Sequence, residues 1–147
     1  MEIVFTLCLP RDEASVPIVR HVCRDSLQML GVLDDCIADI ELAVTEACTN
    51  VLKHVAVAEG EYEVSIEIDD ERCHVRVIDS AGTDFDHAAY GVTDPLVGAE
   101  GGRGIFLMRA MVDDLTFTSG PGDGSAVHLH KLLDLEDSSI LRRVPAH

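Results

Sequence analysis

Between Glu61 and Asp79 the chain twice alternates apolar with polar side chains, and this pattern limits most of what can be built around it. Tyr62, Val64, Ile66 and Ile68 alternate with Glu61, Glu63, Ser65, Glu67 and Asp69. After Asp70-Glu71, Cys73, Val75 and Val77 alternate with His74, Arg76 and Ile78. A side-chain period of two means strands, and the short polar break between them means an antiparallel hairpin. One face of the hairpin is apolar and the other is wet, so its sheet needs cover on one side.

Helices supply that cover. Val16, Ile18, Val19, Val22, Cys23, Leu27 and Leu30 recur at helical spacing between Ser15, a candidate N-cap ahead of Pro17, and Gly31. A longer helix starts at Asp34 or Asp35 and runs to about His54, with Ile37, Ile40, Val44, Ala47, Cys48, Val51 and Val55 on one side. Ala56–Gly60 is a loop. Glu2–Leu9 reads as a strand ending at Pro10. Gly101–Gly104 opens a helix through Ile105, Met108, Met111 and Val112. Leu115–Thr118 and Ala126–Leu132 read as strands joined by a turn at Ser119–Ser125. Ser80–Glu100 has glycines, Pro95 and little periodicity, and is too long for an idle connection, so it reads as a functional loop or lid. This order predicts an α+β two-layer sandwich, with a mixed, mostly antiparallel sheet covered on one face by helices. The expected boundaries are one domain over 1–133 and a polar, partly frayed tail over 134–147.

A chain of 147 residues that is 47% hydrophobic suits one core. Its net charge of −16 repels phosphate backbones and anionic membranes, which argues against direct nucleic-acid binding; the same field attracts a basic protein partner, and acidity equally serves solubility in proteins with no such partner. Five cysteines (Cys8, Cys23, Cys36, Cys48, Cys73), with no CxxC pair, read as buried free thiols of a reducing compartment. No basic leader and no run of about 20 apolar residues is visible, so the expected location is cytoplasmic.

Three features carry candidate chemistry. Glu46, Asn50 and His54 lie four residues apart and stack along a second face of the long helix, where a carboxylate can take a proton and an amide oxygen can ligate a hard cation. The same spacing describes an ordinary solvated face. Gly101-Gly102-Arg103-Gly104 at a helix start can close backbone amides on a phosphate, or can be a flexible turn into a core helix. Asp79, at a strand end before Ser80-Ala81-Gly82-Thr83, can accept from an exocyclic amine, or can simply open a turn. The GxxxxGK[ST] signature is absent, and Phe106-Leu107 occupies the place of a third glycine in GxGxxG.

Together, ELAVTEACTNVLKHV, VRVIDSAG, EGGRGIFLMRAMVDDL and GDGSAVHLHK resemble the N box, the two glycine boxes and the closing strand of the GHKL ATP-binding (Bergerat) fold. The resemblance runs from about Pro10 to Lys131 and is closest to the anti-sigma factor serine/threonine kinases of the RsbW and SpoIIAB type. It implies ATP and Mg²⁺ as cofactors, with Glu46 as general base and Asn50 as the Mg²⁺ ligand. It places Asp79 at the adenine, with Ala81, Gly82 and Thr83 beside it. Gly101, Gly102, Arg103 and Gly104 fall at the phosphates and Ser125 near the adenine-binding aspartate. His54 matches a frequent histidine of this branch, and Arg103 or Lys53 can add a cation.

The implied activity is phosphorylation of a serine or threonine on a STAS-type anti-sigma-factor antagonist, by a protein that sequesters a sigma factor and forms a homodimer. The first glycine box departs from DxGxG, with Ala81 and Thr83 at glycine positions, and Ala99-Glu100 replaces a cation often found before the second box. These departures set the alternative: an anti-sigma binding module with weak or lost ATP use.

Overall fold

The computed structural model describes residues 1–53, 60–79, 100–120 and 124–143. In chain order the elements are β1 (Ile3–Pro10), α1 (Ser15–Met29), α2 (Asp34–Lys53), β2 (Glu61–Ile68), β3 (Arg72–Asp79), α3 (Glu100–Met111), β4 (Asp114–Gly120) and β5 (Gly124–Leu132). A short 3-10 turn at Ile140–Arg143 follows. The strands form one sheet in the order β1-β2-β3-β5-β4, every neighbouring pair antiparallel. The expected α+β sandwich is therefore present.

The alternation seen in the sequence sets the two faces. Tyr62, Val64, Ile66 and Ile68 of β2, Cys73, Val75 and Val77 of β3, and Val127 and Leu129 of β5 are buried toward the helices. Glu63, Glu67, His74, Arg76, His128 and His130 alternate with them on the opposite, uncovered face. At the β2–β3 turn the Asp69 carboxylate accepts from the Glu71 and Arg72 amides, both at 2.8 Å, which fixes the hairpin register locally.

Two helix ends deserve their own physical account. Ser15 is the first residue of α1 rather than its cap; Ala14 stands at the cap position without a side-chain bond. The Ser15 hydroxyl, fully buried, lies 2.5 Å from the Tyr62 hydroxyl and donates to the Asp12 carbonyl at 2.6 Å. Satisfying a buried phenol outweighs capping there. At the other end, Gly31 adopts φ +80°, its amide reaches the Gln28 carbonyl and the Val32 amide reaches the Leu27 carbonyl. That is a Schellman close, with the buried pair Leu27 and Val32 as its apolar contact.

The segment after β5 departs from expectation. Leu135 bridges to Val32, Ser139 is buried with its hydroxyl donating to the Leu30 carbonyl, and Leu141 is buried in the core. A few apolar side chains suffice to dock an otherwise polar stretch over the α1–α2 junction. Four of the five cysteines are buried free thiols as read from sequence, whereas Cys8 lies on the uncovered face of edge strand β1 and is exposed.

Candidate functional site

α2 presents its apolar stripe, including Ile37, Ile40, Val44, Ala47, Cys48 and Val51, to the sheet and α1. α3 packs against another side of α2, and there the Glu46 and Asn50 face meets the glycine run. A Cβ on Gly104 would stand 2.9 Å from Glu46 Oε2 and 3.5 Å from both polar atoms of the Asn50 amide. Glycine at 104 lets α3 approach without displacing Glu46: a methyl there would press on the Glu46 carboxylate and only touch the Asn50 amide. The face that sequence spacing leaves open to a solvated reading is covered, since Asn50 is only 2% exposed while Glu46 is partly buried.

Among the described residues the Asn50 amide nitrogen has no hydrogen-bond partner. An unpaired buried donor costs about 1–3 kcal/mol, and this one stands beside the glycine-rich start of α3. Gly101, Gly102 and Arg103 lie with Gly104 in the first turns of α3, where backbone N–H groups lack intrahelical partners and the helix carries partial positive charge. Thr45 and Thr49, flanking this face, bond back to the carbonyls of Glu41 and Thr45, at 2.7 and 2.8 Å, and so leave the site to Glu46 and Asn50.

Asp79 ends β3 on the helix-facing side, 2% exposed, in register with Ser125 of β5. Its carboxylate accepts a hydrogen bond from Arg11 Nη2, and the Arg11 side chain is buried as deeply. The Arg11 amide donates to the Gly60 carbonyl at 3.3 Å, which ties the end of β1 to the start of β2. Sequence reasoning missed Arg11. It lies 68 residues from Asp79, in a Pro-Arg-Asp-Glu stretch that reads only as the end of a strand, so no spacing rule links the two.

Ala81, Gly82 and Thr83, together with the rest of 80–99, and His54 lie outside the described residues. For Ser125 the strand position is described. Cysteine chemistry does not compete with this site. Burial pushes the Cys48 and Cys23 thiols up to about 12 and raises Cys73 further, so these groups are protonated and inert. Burial likewise takes the Tyr62 hydroxyl to about 12. Among the described residues no cluster of three or more His, Cys, Asp or Glu side chains is placed to hold a metal.

The two-layer antiparallel sandwich thus brings a carboxylate, an amide and a glycine-rich helix start together at one end. The model of the histidine kinase-like ATPase domain matches residues 9–131, and the chain belongs to that family. Within it, the chain is similar to the serine-protein kinase RsbW of Bacillus velezensis, 31% identical over 125 residues, covering 78% of this chain and 77% of that one. It is also 33% identical over 120 residues to the RsbW of Listeria monocytogenes, covering 75% and 76%. In fold it resembles the RsbU and RsbW domains of Rv1364c from Mycobacterium tuberculosis. The TM-score there is 0.67 at 20% identity, over 90% of this chain and 33% of the other. It also resembles the SiaB-SiaC complex from Pseudomonas aeruginosa, with a TM-score of 0.60 at 12% identity. No helix among the described residues is long and apolar enough to cross a membrane.

Proposed function

We propose that this chain is an ATP-dependent protein serine/threonine kinase and anti-sigma factor, which sequesters a sigma factor and phosphorylates a STAS-type antagonist. The observation that carries this reading is the convergence of Gly104 with Glu46 and Asn50. The similarity to serine-protein kinases named RsbW supports it. The residues present fit Mg·ATP: Gly104 in the glycine-rich start of α3 lies within a few ångströms of the Glu46 carboxylate and of the buried Asn50 amide, whose nitrogen has no partner among the described residues.

When bound, Mg·ATP supplies the phosphoryl group, and its cation offsets the phosphate charge that this acidic chain would otherwise repel. Asn50 offers its amide oxygen to the cation, and the first turn of α3 donates backbone N–H bonds to phosphate oxygens. Glu46, partly exposed, is reachable by a protein hydroxyl and takes its proton as the hydroxyl attacks. Asp79 accepts from the 6-amino group of the base, and Ser125, beside it in register, completes that end. Ala81, Gly82, Thr83 and Arg103 complete the proposed nucleotide contacts. Phosphoryl transfer needs position and charge neutralisation more than a covalent intermediate, and these residue types supply both.

Transfer of labelled phosphate from ATP to the antagonist tests the assignment. It is expected to disappear in Glu46→Ala and in Asn50→Ala while both variants stay folded. Transfer that survives both substitutions refutes the site. Capture of the sigma factor without nucleotide binding by the unmodified protein would favour a non-catalytic binding module instead. We further propose a cytoplasmic protein that forms a homodimer, with one ATP-binding domain over 1–133 and a C-terminal segment that docks back on it through Ser139 and Leu141; light scattering of the purified chain checks the dimer.

A further inference from the structure

The Arg11–Asp79 pair does something that the reading of Asp79 as a base-contacting residue does not by itself require. A carboxyl group buried to this depth has two states with opposite recognition. Ionised, it is an acceptor only; protonated, it also presents an O–H donor. Burial alone favours the protonated state, and a guanidinium in contact favours the ionised one. At the 6-position of a purine the difference is decisive. An acceptor-only carboxylate takes the N–H of a 6-amino group and meets a 6-oxo group lone pair to lone pair. A protonated carboxyl donates to the 6-oxo group instead.

Arg11 is built for this role rather than for packing. Its side chain is 2% exposed, and a Cβ on Gly60, itself at φ +102°, would sit 3.7 Å from Arg11 Nε. Among the described residues its Nε and Nη1 have no hydrogen-bond partner and Asp79 is its one side-chain acceptor, so the guanidinium is held in the interior against Asp79. An apolar side chain of similar volume would fill the same space without burying the N–H donors of Nε and Nη1. What the cation adds is a charge in contact with Asp79, which favours its ionised state and orients it.

We propose that Arg11 is the residue that sets base specificity: it holds Asp79 ionised and oriented, so that the site admits 6-aminopurine nucleotides and rejects 6-oxopurine nucleotides. Arg11 acts through Asp79 and is a positioning residue. The inference rests on the proposed contact between Asp79 and the base.

Calorimetric titration of the full chain with the Mg²⁺ complexes of ATP, inosine triphosphate and purine riboside triphosphate tests it. The last has only hydrogen at the 6-position. The unmodified protein is expected to bind ATP at least tenfold more tightly than inosine triphosphate, with purine riboside triphosphate between them. Inosine triphosphate binding as well as or better than purine riboside triphosphate would mean a donating, protonated Asp79 and would overturn the proposal without any variant.

In Arg11→Gln the ATP preference over inosine triphosphate is expected to shrink to about threefold or less, and in Arg11→Lys it is expected to persist. An Arg11→Gln protein that binds all three nucleotides more weakly but keeps the tenfold preference would show a structural role only and overturn the inference. Asp79→Ala separates the two layers of the argument. If it leaves both ATP affinity and base preference unchanged, the contact between Asp79 and the base is itself wrong, and the proposal falls with it. If Asp79→Ala abolishes the preference while Arg11→Gln does not, only the assignment to Arg11 is wrong.

Discussion

Gly104→Ala separates what the α2–α3 contact does for function from what it does for folding. The added methyl would sit 2.9 Å from Glu46 Oε2, so carboxylate and methyl must part by about 0.5 Å to reach ordinary contact. The Glu46 carboxylate is the end of a flexible, partly exposed side chain and can yield. Alanine is favoured over glycine inside a helix by about 0.5–1 kcal/mol. Folding is therefore expected to be unharmed, with a melting temperature equal to the unmodified protein's or about 2–4 °C higher. Catalysis is not buffered in this way. Displacing a general base by a fraction of an ångström to an ångström costs roughly tenfold to a hundredfold in rate. Thermal unfolding and labelled-phosphate transfer measured on the same preparation give both numbers. Transfer within about twofold of the unmodified rate, or a melting temperature lowered by more than about 5 °C, would refute the reasoning, the first by removing Glu46 from the chemistry and the second by showing that Glu46 cannot move.

Other expectations follow from single features. Gly31→Ala forces an L side chain to φ +80° with its Cβ 2.9 Å from the Ser139 backbone, and is expected to lower stability by about 2 kcal/mol or more in urea titration while leaving nucleotide affinity intact. Thiol titration of the native protein is expected to modify Cys8 rapidly and the other four cysteines only on unfolding, because burial raises Cys23, Cys36, Cys48 and Cys73. On the uncovered sheet face the His74 and His128 imidazoles are held below their usual 6.5, first by burial and next by a neighbouring imidazole, His130 beside His74 and His74 beside His128. Arg76 adds to the depression in both, and for His74 the nearby Glu67 opposes it. The unfolded chain then binds more protons near pH 6, so the contribution is complete above about pH 6.5 and is lost as pH falls from there through the lowered folded values. His74→Gln is expected to narrow the difference in urea midpoint between pH 7.5 and pH 5.5; a wider difference would reverse the sign of this argument.

The fold was legible wherever a short-range pattern decided it. The alternation from Glu61 to Asp79 gave both strands and both faces of the hairpin, and the spacing from Val16 to Gly31 gave a helix and its glycine close. The candidate site was legible in part. Glu46 and Asn50 were marked by their four-residue spacing, but that spacing cannot tell a solvated face from one covered by α3, and Asn50's burial depends on a helix 50 residues further on. Arg11 was hidden for the same reason: an ion pair across 68 residues leaves no periodicity. The docking of Ser139 and Leu141 rests on a hydroxyl reaching the Leu30 carbonyl and on one apolar side chain, too little to stand out in a polar stretch.

Whether the α2–α3 contact is a Mg·ATP site is decided by calorimetric titration with Mg·ATP. The unmodified protein is expected to give saturable binding at one site per chain, weakened at least tenfold in Asn50→Ala. Absence of saturable heat, or equal affinity in the Asn50→Ala variant, would contradict that assignment.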